Sequence, residues 1–280
     1  MKLLRVGKKG KEKPAILDSS GKIKDLSSII HDLNPENLNF ETIKKLESVD
    51  KSTLPELSPT ERIGSCITKP GKFVAIGLNF SDHAAETGAK PPTEPIVFMK
   101  ATSSINGPND DIEIVSGSKK LDWEVELGII IGKETKHISE LDSQSHILGY
   151  CLVNDISERE WQIEKMGQWV KGKSHDTYGP IGPYLVTKNE ISDINNLNMS
   201  LDVNGNRMQT GNTNTMIFNV NVIVSYLSKF MSLQPGDIIT TGTPPGVGMG
   251  MKPQQFLKAG DKIRLSIENL GEQNSNVVIL

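Results

Sequence analysis

The sequence predicts a β-rich α+β fold, and two patterns lead there: a succession of short apolar runs cut by Gly, Pro and Asn turns, and few helical stretches between them. A doubly wound parallel sheet would need a helix after nearly every strand, which this spacing does not provide. Residues 1–66 are Lys-rich, with apolar runs at 3–6 and 15–17 between Gly-Lys and Ser-Ser-Gly turns and a helix expected at 41–49. They read as a small β-rich N-terminal domain. Pro55, Pro59 and Lys69-Pro70-Gly71 punctuate the passage into a longer, more apolar body, so a boundary is expected near 65–70, with the second domain at 67–280. Strands are expected there at 73–76, 96–99, 112–115, 123–131, 147–154, 181–186, 199–203, 237–240 and 262–267. Val203-Asn-Gly-Asn206 signals a type I′ hairpin.

Composition narrows the function. With 31 basic and 34 acidic residues and a formal charge of -3, the 280-residue chain has no electrostatic footprint for nucleic acid or an anionic membrane, which favours small-molecule chemistry. Cys66 and Cys151 are the only cysteines, too few for a disulfide framework or a thiolate zinc site. The N-terminus lacks a signal-peptide core, and no run reaches transmembrane length, so a cytoplasmic protein is expected.

Glu124 and Glu126 interrupt an otherwise apolar run at 121–131. Strand alternation turns both to one face and Trp123, Val125 and Leu127 to the other. Adjacent carboxylates repel, and a hard divalent cation relieves them. A third acid, Asp155, ends the apolar run at 147–154. Read alone, the three fit either a metal site or ion pairs with Lys and Arg.

Ser157-Glu-Arg-Glu160 matches a capping box, predicting a helix from which Asp155, Arg159 and Gln162 share one face, as a polar site or as a local surface pair. Gly167 to Ser174 spells a phosphate loop letter for letter, but a helix is expected before it and Gly179-Pro-Ile-Gly-Pro183 after it, so the strand and long helix that such a loop requires are missing. Lys173 in that stretch is a candidate oxyanion donor or a solvent-facing loop lysine. The Gly-rich run from Thr241 to Gly250 could let a ligand approach backbone amides. His83 precedes Glu86 by three residues, a spacing that suits a carboxylate-oriented general base or an ordinary surface pair.

Taken in order, Gly77-Leu-Asn-Phe-Ser-Asp-His83, Asp122-Trp-Glu-Val-Glu-Leu-Gly128, Val153-Asn-Asp155-Ile-Ser-Glu-Arg159, Lys171-Gly-Lys173-Ser and Leu233-Gln-Pro-Gly-Asp-Ile-Ile-Thr-Thr-Gly-Thr243 resemble the fumarylacetoacetate hydrolase superfamily. The likeness runs from about residue 70 to the C-terminus. It implies a mixed β-roll, a homodimer, and a Mg²⁺ site, with Mn²⁺ or Ca²⁺ as alternatives, on Glu124, Glu126 and Asp155. It places His83 and Glu86 on a water-activating dyad, Arg159, Gln162 and Lys173 on substrate and oxyanion contacts, and Thr243 on a substrate-binding threonine. The stretch 72–250 looks most like enzymes that cleave 2,4-diketo-3-deoxy sugar acids, whose relatives often bear the label ureidoglycolate lyase. The resemblance therefore implies metal-assisted hydrolysis of a carbon–carbon bond in an acylpyruvate-like 2,4-dioxo acid. The alternatives are a 2-oxo acid decarboxylase or keto-enol isomerase, a ureidoglycolate lyase, and a binding protein without turnover. Asn79, Phe80, Met166 and Met249 are candidate pocket residues, and 84–95 is a candidate lid.

Overall fold

In the computed structural model, which describes residues 1–82, 86 and 90–280, a nine-stranded mixed sheet packs against a five-stranded one. The strand order of the large sheet is Ile23–Asp25, Lys13–Leu17, Lys2–Val6, Leu185–Thr187, Ile147–Asn154, Val125–Ile131, Ile238–Thr240, Phe73–Gly77 and Ile96–Lys100. The first three therefore extend the central sheet, through the register Lys2 opposite Val186 and Leu3 opposite Leu185. The small sheet runs Asn206–Asn212, Asn198–Val203, Lys262–Ile267, Gly271–Ile279 and Ile112–Ile114. Among the described residues, no helix is long and apolar enough to cross a membrane.

The central strands are buried on both faces, and their alternation assigns each side chain a partner layer. Val125, Leu127, Ile129, Ile131, Tyr150 and Leu152 join Leu201, Ile263 and Leu265 of the small sheet in one core. Ile130, Leu148, Cys151 and Val153 face the other way, against Leu3, Ile16, Leu26 and Leu33 of the N-terminal segment. Glu126 lies opposite Val153 in the ladder and shares this second face, at the end of the strand where the apolar residues stop.

Several expected elements shift, for physical reasons. The apolar run at 121–131 is two strands: Leu121–Asp122 pairs with Ser157–Glu158, and only Val125–Ile131 enters the large sheet. This pairing also cancels the capping box, because Ser157 Oγ donates to the Asp155 carbonyl at 2.8 Å and the helical turn begins later, at Glu160–Glu164. The run at 181–186 contributes only Leu185–Thr187, since Gly182 at φ +113° and Pro183, which has no amide hydrogen, cannot continue a ladder. The helix expected at 41–49 forms at Phe40–Glu47, capped by Asn39, whose side chain accepts from Thr42 N at 2.9 Å. The hairpin forms as expected, with Asn204 and Gly205 both at positive φ.

Candidate active site

Each acid reaches the site from a strand end. Trp123 and Glu124 bridge the two strands of the broken run, Glu126 is the second residue of Val125–Ile131, and Asp155 follows Ile147–Asn154, its amide donating to the Glu124 carbonyl at 3.0 Å. The three carboxylates are buried and offer ligand oxygens that all lie within 4.8 Å of one another. Oxygen-only donors at this spacing fit a hard divalent cation such as Mg²⁺ or Mn²⁺.

Cations surround two of the three acids. Lys173 Nζ donates to Glu124 Oε2 and to Asp155 Oδ2, each at 2.7 Å. Lys100 Nζ, fully buried, donates to Asp155 Oδ1 at 2.5 Å and to the carbonyl of Lys173. Arg159 spans Asp122 Oδ2 at 2.8 Å, Glu124 Oε1 at 2.7 Å and Gln162 Oε1 at 3.0 Å. Asp122 in turn accepts from the amides of Gly248 at 2.7 Å and Met249 at 3.0 Å, tying the Gly-rich loop to the charged cluster. Glu126 differs: among the described residues its hydrogen bonds come from the Thr240 hydroxyl and the Gly242 amide, both to Oε2, and it has no ion pair.

The electrostatics follow this distribution. Burial alone would raise the Glu124 carboxyl, but Lys173 and Arg159 overcome it and hold it well below the ordinary range. Burial, then the charges of Asp155 and Glu124, push Glu126 well above it. The two lysines part company as well. Desolvation opposes the charge on Lys173, yet Asp155 and Glu124 together raise it, whereas Lys100 is lowered because desolvation exceeds what Asp155 returns and Lys173 repels it.

The helical turn Val170–Lys173 delivers Lys173 to the carboxylates because Gly172 lets two segments touch: a Cβ there would stand 2.4 Å from the Glu158 carbonyl oxygen and 2.6 Å from Gln162 N. The same glycine and lysine complete the phosphate-loop pattern, so packing explains them. Gly242, at φ +93°, brings its amide to Glu126 in a backbone conformation that a side chain would strain.

Glu124, Glu126, Arg159, Gln162, Lys173 and Thr243 line one cavity of about 170 Å³, and Asp155 lies behind it against Lys100 and Lys173. The Thr243 hydroxyl donates to the Val125 carbonyl at 2.9 Å and accepts from Gln209 Nε2 at 2.8 Å, which fastens it to the strand carrying Glu126. Glu86 is exposed at the edge of the Gly-rich loop, where its carboxylate accepts from Gly246 N at 3.1 Å. His83 lies outside the described residues, as do residues 84, 85 and 87–89 of the expected lid.

Of the four pocket candidates, Met249 lines the cavity. Asn79 instead anchors backbone, donating to the carbonyls of Phe218 and Thr241, Phe80 is in the core, and Met166 is 92% exposed. Lys100 and Asp122 were not singled out from sequence. The paired acids beside Asp122 were a signal for it, but Lys100 ends an ordinary-looking strand and nothing local marks it as buried.

Comparison with known proteins places this architecture. The profile of the Fumarylacetoacetate (FAA) hydrolase C-terminal family matches residues 72–278. A relative from Burkholderia orbicola with a provisional hydrolase name is 57% identical over 274 residues, 98% of this chain and 97% of its own length. Among solved structures, a fumarylacetoacetate hydrolase from psychrophilic Exiguobacterium antarcticum aligns with a TM-score of 0.90 at 33% identity, covering 100% of both chains. Maleylpyruvate hydrolase from Sphingobium sp. SYK-6, solved with manganese(II) and pyruvate, aligns at 0.84 and 25% identity, covering 100% of this chain and 99% of its own. A 5-carboxymethyl-2-hydroxymuconate delta-isomerase from Mycobacterium smegmatis aligns at 0.79 and 28%, with the same coverage. With the family profile matched over most of its length and full-length likeness in both sequence and fold, the chain belongs to the fumarylacetoacetate hydrolase superfamily.

Proposed function

We propose that the protein is a divalent-metal-dependent hydrolase that splits a carbon–carbon bond in an acylpyruvate-like 2,4-dioxo acid and releases pyruvate, with 2,4-diketo-3-deoxy sugar acids among its substrates. The observation that carries this reading is Glu126, a buried carboxylate beside two others that, among the described residues, lacks the ion pair its neighbours have. A Mg²⁺ or Mn²⁺ ion held by Glu124, Glu126 and Asp155 would supply Lewis acidity toward a substrate oxygen. The manganese and pyruvate bound by the Sphingobium enzyme support the choice of metal and product.

The chain's own groups account for the rest. Arg159 and Lys173 present cationic N–H donors at the cavity floor, where charge developing on the C4 oxygen is stabilised without reorganisation. The resemblance assigns His83 to deprotonate the attacking water and Glu86 to orient it. Water oxygen joins C4, the C3–C4 bond breaks with its electron pair passing to C3, and protonation of C3 completes pyruvate. The proposal includes a homodimer, which sedimentation equilibrium would check.

The test is to incubate chelator-stripped protein with acylpyruvates and 2,4-diketo-3-deoxy sugar acids, with and without Mg²⁺ or Mn²⁺, and to measure pyruvate beside carbon dioxide. Metal-dependent pyruvate supports hydrolysis. A second reading is a decarboxylase or an isomerase, and the likeness to the Mycobacterium smegmatis isomerase favours the isomerase. Carbon dioxide without cleavage, or turnover that survives Glu86→Ala, would select it.

A further inference from the structure

The charged and apolar parts of the cavity are separated by depth. Glu124, Glu126, Arg159 and Lys173 form its floor, at 6%, 2%, 4% and 2% exposure. Toward solvent the lining becomes Phe98, Trp169 and Met249, all half-buried, and Ile163, which is 45% exposed. The gradient is continuous: Lys173 Nζ sits 5.1 Å from the centre of the Phe98 ring, and Phe98 meets Trp169 edge-on with ring centres 5.2 Å apart. Leu78, held at φ +50°, adds another apolar side chain to the lining.

We infer that the acyl end of the substrate is a short group with a hydrocarbon end, received by Phe98, Ile163, Trp169 and Met249, and that a second carboxylate at that end is rejected. This deepens the proposed function and rests on it for the orientation of the pyruvate end toward the floor. Once the 2-oxo acid end is directed to the floor, the C4 substituent has to run along the apolar wall. Among the described residues, the only cations lining the cavity are Arg159 and Lys173, and both lie at the floor, where the proposed reaction engages them with the C4 oxygen. An ionised group on the wall would lose water without gaining a partner, whereas each buried methylene adds roughly fourfold in affinity. The cavity, about 170 Å³, has room for the 2-oxo acid end and a short continuation of it, which favours a short acyl chain. Within the sugar acids, this favours those that end in a methyl group.

The experiment uses the full chain with Mg²⁺ and compares, by calorimetry, the binding of 2-oxohexanoate and 2-oxoadipate. These acids have equal carbon counts, differ at the far end, and lack the 4-oxo group needed for cleavage. The expected result is binding of 2-oxohexanoate tighter by at least about tenfold. Equal affinities, tighter 2-oxoadipate, or no binding of either would overturn the inference. Ile163→Arg, at an exposed position that tolerates charge, should shift the ratio about tenfold toward 2-oxoadipate, and an unchanged ratio would overturn the placement of the acyl end. Pyruvate release from 2,4-dioxo acids is read separately: its absence beside an intact hydrocarbon preference would sink hydrolysis and leave the pocket assignment standing.

Discussion

At the N-terminal end of the large sheet, Asp32, Arg5, Glu12, Arg62 and Asp110 form a chain of ion pairs, while at the strand ends near its centre Asp122, Glu124, Glu126 and Asp155 meet Lys100, Arg159 and Lys173. Both clusters carry one more acid than base. In the first, the excess is shared: Arg5 forks onto Asp32 at 2.7 and 3.0 Å, Arg62 forks onto Asp110 at 2.7 and 2.5 Å, and Glu12 lies between the two guanidiniums. In the second, among the described residues, it falls on Glu126 alone. Net charge therefore does not tell a structural clasp from a ligand site. The distribution of partners does, because a buried carboxylate without a cation retains the desolvation cost that a metal can offset.

The largest expected effect comes from breaking that asymmetry. Glu126→Gln should weaken Mg²⁺ or Mn²⁺ binding by at least about 100-fold in calorimetry and abolish metal-dependent turnover. The same substitution has a signature in metal-stripped protein. A carboxyl raised by folding stays protonated over a range where the unfolded chain is ionised, so its contribution to stability falls as pH climbs from the ordinary carboxylate range toward the raised value. Melting curves from about pH 5 to pH 8 should lose that downward slope in Glu126→Gln, and an unchanged slope would remove Glu126 as its source.

Lys100→Met should cost about 3 kcal/mol or more in urea unfolding, since it leaves Asp155 Oδ1 and the Lys173 carbonyl without their buried donor. Arg5→Met should cost less, about 1–3 kcal/mol, because Asp32 is 20% exposed and can regain water while Glu12 keeps Arg62. Its kcat should match that of the parent, and a clear fall would show that the two clusters are coupled. As a baseline, Lys22→Ala breaks an exposed pair with Glu56, at 54% and 45% side-chain exposure, and should leave the melting temperature unchanged within error.

The legible parts of the site were those with a local signature. Period-two alternation put Glu124 and Glu126 on the face opposite Trp123, Val125 and Leu127, and the end of an apolar run located Asp155. Arg159 and Gln162 are three residues apart and do meet, at 3.0 Å. Longer-range facts were not legible. Lys100 pairs with Asp155 across 55 residues and Arg159 with Asp122 across 37, so neither bond leaves a mark in its own neighbourhood. The strand Gly271–Ile279 leaves little local mark because it is largely polar and takes its place in the small sheet by pairing with a more apolar strand, and of Asn206–Asn212 only the hairpin turn that opens it is legible. The capping box failed for the converse reason: a local pattern was overruled by the pairing of Ser157 with Asp122.

By itself, then, the sequence determined a β-rich chain with two acids on one strand face, a third at a strand end, and basic residues close enough to contribute, because these properties depend on side-chain alternation and composition. Tertiary structure alone decided which carboxylates are neutralised, that Lys173 is buried and not solvated, and that an apolar wall rises above a charged floor. Those outcomes depend on which distant strand ends converge, and on how much water they exclude when they do.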